Sequence, residues 1–132
     1  MLESVRALAE ALAGEDASVS DLVAHLDGRV TEHPGNVIVD EPRLDGIASG
    51  NVVRHGPGED RPANVRLELR EPLDLEPLAA RLGEPRTVYP DHAGGPVQLV
   101  YPRPLVDGPR PVKLIARSEA GEPAGSIMLR RD

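Results

Sequence analysis

Four histidines, His25, His33, His55 and His92, are the side chains of this 132-residue sequence that titrate near neutrality without perturbation, so proton transfer and metal ligation are the chemistries open to them. Ligation needs pairs, such as two histidines one helical turn apart or closely set acids, and each histidine here stands alone among prolines and glycines. His25, beside Leu26, reads as the polar edge of a helix. His92 is different. In Tyr89-Pro-Asp-His-Ala-Gly-Gly95 it follows Asp91 in a glycine-flanked loop, and a carboxylate next to an imidazole is the equipment of a general base. His92 with Asp91 is therefore the candidate catalytic pair, and an ordinary hairpin tip is the favoured alternative. Ser118 and Ser126 lie in no Gly-x-Ser-x-Gly elbow and receive no nucleophilic role.

The densest acidic group is Asp40, Glu41 and Asp45, with Glu59 and Asp60 further on, and carboxylate oxygens in such numbers could hold a hard cation such as calcium. Pro42 and Arg43 interrupt the group and it lacks the alternating ligands of an EF-hand loop, so a solvated edge is the favoured reading. The glycines at 56–58 and 94–95 lack the Gly-Lys-Ser ending of a phosphate loop. With no cysteine, the sequence excludes disulfides, thiolate nucleophiles, zinc–cysteine sites and iron–sulfur clusters. No cofactor is expected.

Charge narrows the partners. The net charge is −7, and it is unevenly spread: residues 1–60 hold 4 basic against 12 acidic side chains, and residues 61–132 hold 11 against 10. An acidic surface with only Tyr89 and Tyr101 as aromatics offers nucleic acid neither attraction nor stacking platforms, so no nucleic-acid partner is expected. No apolar stretch of 18 residues occurs and the start lacks the pattern of a signal peptide, which predicts a cytoplasmic protein with no membrane partner. Arginine (14 residues) displaces lysine (Lys113 alone), the usage of GC-rich genomes. The core must be aliphatic, because Phe and Trp are missing altogether.

Periodicity defines the elements that carry these residues. Leu2, Val5, Leu8, Ala9 and Leu12 recur at helical spacing, with Gly14 as a left-handed stop, and Ser18 caps a second helix that closes at Gly28. The apolar stripe of the first helix must dock on its own sheet or on a second copy. Val30, the turn His33-Pro-Gly-Asn36 and Val37-Ile-Val39 mark strand territory, and Leu44–His55, with Gly46 and Gly50, reads as a bent or bulged strand. Residues 56–62 form a loop. Val65, Leu67 and Leu69 then alternate with Asn64, Arg66, Glu68 and Arg70, the pattern of a strand with one wet face. Residues 72–83 make a third helix, capped by Asp74, ended by Gly83 and turning Leu75, Leu78 and Leu82 to the sheet. Arg86–Tyr89, Val97–Tyr101, Val112–Ser118 and Ser126–Arg131 read as strands, the last two a hairpin through Glu119-Ala-Gly-Glu122.

No internal repeat is visible, and the order is α-α-β-β-β-α-β-β-β-β in a single domain spanning 1–132. This predicts an α+β fold, a twisted antiparallel sheet with helices packed on one face. The order and the Leu-x-x-Leu-Ala-Ala-Arg-Leu-Gly stretch at 75–83 resemble small bacterial domains of the β-lactamase-inhibitor type, which implies helices over one side of a curved sheet. The function expected is a non-catalytic protein–protein interaction module using the wet face or an edge of its sheet, or its acidic first half, to bind a protein partner or itself as a homodimer. The alternative is a small-ligand-binding domain with an aliphatic pocket between sheet and helices, or a hydrolase or isomerase using His92 with Asp91.

Overall fold

The computed structural model describes residues 2–92, 94–119 and 124–131. Helices α1 (Leu2–Ala13) and α2 (Val19–Leu26) lead into strands β1 (Arg29–Glu32), β2 (Asn36–Asp40), β3 (Ile47–Arg54) and β4 (Pro62–Leu69). Helix α3 (Leu75–Leu82) follows, then β5 (Arg86–Val88), β6 (Val97–Val100), β7 (Val112–Ser118) and β8 (Ser126–Arg131). All neighbouring strands are antiparallel in one open sheet of order β1-β2-β3-β4-β8-β7-β6-β5. The helices cover one face, so the fold is α+β as expected.

The reason is visible in single strands. In β4 and β8, Val65, Leu67, Ile127 and Leu129 are fully or almost fully buried, while Arg66, Glu68 and Arg130 face outward. Val65 pairs with Leu129 and Leu67 with Ile127, so the two oily rows merge into one at the centre of the sheet. Leu8, Leu12, Leu22 and Leu26 close over it from α1 and α2, and Leu78 and Leu82 from α3. Each such side chain contributes about 1.5–3 kcal/mol when fully buried. The stripe of α1 is therefore occupied inside its own chain, and the alternative of a dimer built on that stripe is corrected.

Helix ends follow their caps. Ser18 accepts a hydrogen bond from the Asp21 amide at 3.0 Å, and Asp74 accepts one from Glu76 at 3.1 Å. Two stop signals act differently from expectation. Gly14 is not left-handed; the left-handed residue ending α2 is Asp27 (φ 50°), not Gly28. Gly28 has another use: a side-chain carbon there would overlap the Asp40 carbonyl, so its bareness lets the chain leave α2 hard against β2. Gly50 lies under Leu26, whose methyl would have to shift by a few tenths of an ångström to admit a side-chain carbon, and a bulge falls between Ile47 and Ser49. The bent strand expected over Leu44–His55 is β3.

Four strands precede α3 where three were expected. The extra one is β1, exposed along its whole length and so without an alternating signature; it pairs with β2 through the 33–36 turn, where the His33 amide donates to the Asn36 carbonyl at 2.9 Å. With β1 counted, a helix followed by a four-strand meander occurs twice, as α2 with β1–β4 and as α3 with β5–β8, and the two meanders join where β4 meets β8. Sequence showed no repeat; topology does. The expected β7–β8 hairpin is present, while residues 120–123 of its turn lie outside the described residues.

Candidate functional site

With three helices on one side, no described helix covers the other side of the sheet, and its residues can be read off the ladders. One row runs Asn51, Arg66, Met128, Ile115, Val100, Arg86 from β3 to β5. A second runs Ser49, Glu68, Ser126, Arg117, Gln98, Val88, and a third Val53, Asn64, Arg130, Lys113. On the β4 to β5 side, the described residues of these rows include five cations, Arg66, Arg86, Lys113, Arg117 and Arg130, and the carboxylate of Glu68, with Glu119 joining Glu68 and Arg117 around one dip at the edge. Among the described residues, Arg66, Arg86, Lys113 and Arg117 join no ion pair. A chain of net charge −7 thus carries a concentrated basic face.

The floor of that face is apolar. Ile115 is only 2% exposed although no helix lies over it, because Met128 and Val100 flank it across the ladder and long side chains of the same face surround it. The β1 to β3 side is neutral in its middle: Asn36 donates to Asn51 at 2.8 Å, with Ile38 and Val53 between and beside them.

The loop after β5 borders the same face. A cleft of about 340 Å³ is lined by Val88, Tyr89, Pro90, Asp91, His92, Pro96 and Gln98, and Val88 and Gln98 belong to the open-face row that continues to Arg117. A neighbouring dip of about 240 Å³ brings Glu68, Arg117 and Ser126 against Pro96. Tyr89 is 75% exposed at this rim. Asp91 and His92 therefore share a cleft, as the adjacent pair in a loop should, but no hydrogen bond joins them. Ser118 and Ser126 line the neighbouring dip instead.

The other candidates are dispersed. Glu41 pairs with Arg29 at 3.7 Å, and Glu59 with His55 at 3.8 Å and Arg61 at 3.7 Å. Asp60 accepts the Ser20 hydroxyl at 2.9 Å, Asp40 is on β2, and Asp45 borders a dip with Arg70. Asp40, Glu41 and Asp45 thus answer to separate neighbours, and among the described residues no group of three or more His, Asp or Glu side chains is placed to hold an ion. His25 ends α2, while His33 and His55 lie on adjacent turns at one end of the sheet, whose backbones meet where the Gly58 amide donates to the Pro34 carbonyl at 2.8 Å. These clefts lie at the surface; a binder of an apolar ligand, the alternative reading, would need one between sheet and helices.

Among the described residues five buried side-chain atoms lack a hydrogen-bond partner, Arg54 Nε, Asn64 Oδ1, Tyr101 Oη, Arg117 Nε and Arg131 Nη1, and two of these groups have shifted titration. Tyr101, beneath α3, is fully buried with its hydroxyl unpartnered; burial, with the Glu84 charge second, raises its phenol above the ordinary value of 10.0. At the end of β8, burial and then the charges of Arg110 and Arg61 lower the Arg131 guanidinium below its ordinary range, and its Nη1 has no partner.

Fold and face together define a class of protein: a small α+β domain with three helices on one side of an eight-stranded antiparallel sheet and a bare, basic other side. Its fold is similar to the crystal structure of a DUF4309 family protein, YjgB from Bacillus subtilis subsp. subtilis str. 168, with a TM-score of 0.58 at 13% identity, covering 98% of this chain and 99% of that one. The likeness concerns the fold alone. No family model and no curated protein matches the sequence. No helix among the described residues is long and apolar enough to cross a membrane.

Proposed function

We propose that this chain is a non-catalytic, cytoplasmic protein–protein interaction module whose working surface is the open face of the sheet. One observation carries the reading. Arg66, Arg86, Lys113 and Arg117 stand without carboxylate partners around the partly exposed Met128 and Val100, which flank the buried Ile115, in a chain whose charge is otherwise acidic. A face that only meets water is served by mixed charges, whereas an apolar floor rimmed by charge is the anatomy of a contact surface. A photoreactive residue at Met128 should form an adduct with one reproducible protein in the source cells, and the same residue at Glu10 on α1 should not. Adducts from Glu10 alone would move the contact surface to the helical side.

A second reading has its own observation, the cleft that holds Asp91 and His92. A general base there would serve a small hydrolase or isomerase, or the cleft would hold a small ligand. Substrate screening of the wild type beside His92→Ala separates the two readings: turnover lost in the variant establishes the enzyme, and absence of turnover in both leaves the interaction module.

A further inference from the structure

The geometry of the open face points to the chemistry of its partner: we infer that it receives an acidic polypeptide segment in which an apolar side chain is flanked on both sides by carboxylates. The inference rests on the open face being the contact surface and adds what should contact it.

Ile115 is the centre of a cross of cations. Lys113 and Arg117 lie two residues away on either side along β7, about 7 Å at strand rise. Arg66 on β4 and Arg86 on β5 lie two strands away on either side, about 10 Å at strand spacing. Between the arms Met128 and Val100 are partly exposed on either side of the buried Ile115, and these two side chains are what an incoming apolar side chain would meet; neither is aromatic. An extended segment advances about 3.3 Å per residue, so carboxylates two or three positions on each side of an apolar residue reach the arms whether it runs along β7 or across the strands.

Other occupants fit less well. Two copies meeting face to face would oppose cation to cation, since a two-fold interface sets the same patch against itself. Nucleic acid would find the phosphate attraction, but only one exposed ring, Tyr89 at the rim, on which to stack, and the net charge of −7 would repel it at a distance. An anionic membrane would meet the charges, but the exposed apolar groups of this side, Val88 and Tyr89, stand at one rim and not among the cations.

The test is fluorescence anisotropy of the full chain with a labelled peptide, Glu-Glu-Ser-Leu-Ser-Glu-Glu, and with its counterpart carrying Gln for every Glu. The expected result is binding of the acidic peptide that weakens about tenfold with the Gln version. It should weaken similarly with the triple variant Arg66→Glu, Lys113→Glu, Arg117→Glu, and severalfold between about 50 and about 500 mM salt. Arg66 is exposed, Lys113 and Arg117 are partly buried, and none of the three pairs with a carboxylate; an unchanged circular-dichroism spectrum checks that the variant folds, and Met128→Glu, between the arms, provides an independent loss of binding. Equal binding of both peptides, or no binding of either, overturns the inference. So does oligothymidylate or a phosphatidylglycerol vesicle displacing the acidic peptide and losing its hold in the triple variant. The photo-adducts at Met128 keep the two readings apart: a reproducible partner joined through a non-acidic segment sinks this inference alone, while no protein adduct at all sinks the interaction module with it.

Discussion

Tyr101 shows how one atom can lower stability in a well-packed core. Its ring fills space beneath α3, but its hydroxyl is buried without a hydrogen bond, which costs about 1–3 kcal/mol of desolvation. Tyr101→Phe should therefore leave stability unchanged or raise it in urea titration, and a loss of more than about 1 kcal/mol would reveal a partner for the hydroxyl. The pH dependence follows from the raised phenol. Below pH 10 both folded and unfolded chains hold the proton; above it the unfolded chain releases it first, so stability should fall as pH rises beyond about 10, and Tyr101→Phe should remove part of that fall. Arg131 presents a parallel case, since it is half-buried near two like charges with an unpartnered nitrogen. Arg131→Met should raise the melting temperature, and a drop would show that the guanidinium is held by something other than solvent. Neither residue announces itself in sequence: Tyr101 reads as the end of a strand and Arg131 as a polar tail, because burial depends on what packs over them.

At the scale of elements, the wet and dry faces of β4 were legible from Val65, Leu67 and Leu69 alternating with charges, and both later helices from their Ser18 and Asp74 caps. Local signals sufficed there because period and cap lie within a few residues of one another. Strand β1 was missed as a separate element because it buries nothing; its pairing with β2 holds it, and pairing is a non-local fact. Gly28 belongs to the same category. Its sequence context suggested a helix stop, while its role is close approach to the Asp40 carbonyl. Gly28→Ala should destabilise the fold by about 1–3 kcal/mol through overpacking, measured by chemical denaturation. A neutral result would mean that the α2–β1 connection can shift away from β2.

For the molecule as a whole, the seam between β4 and β8 decides whether the two meanders act as one body. Leu129 sits on that seam, fully buried and opposite both Val65 and Leu114. Leu129→Ala should cost about 2–5 kcal/mol and lower the hydrogen-exchange protection of β2 and β6 amides together. If β6 loses protection while β2 keeps it, the halves are separate cooperative units. Composition, alternation and capping by themselves determined an α+β domain with an aliphatic core, an antiparallel sheet and helices on one side, because hydrophobic burial forces any such pattern to close over its oily face. They also exposed Asp91 and His92 as neighbours, since adjacency in a loop survives folding. The basic open face was decided by the tertiary structure alone: Arg66, Arg86, Lys113, Arg117 and Arg130 come from four strands, and only the order β4-β8-β7-β6-β5 and its register bring them around Ile115. Each strand's sequence shows which side chains point to water; the ladder hydrogen bonds between strands set which of them become neighbours.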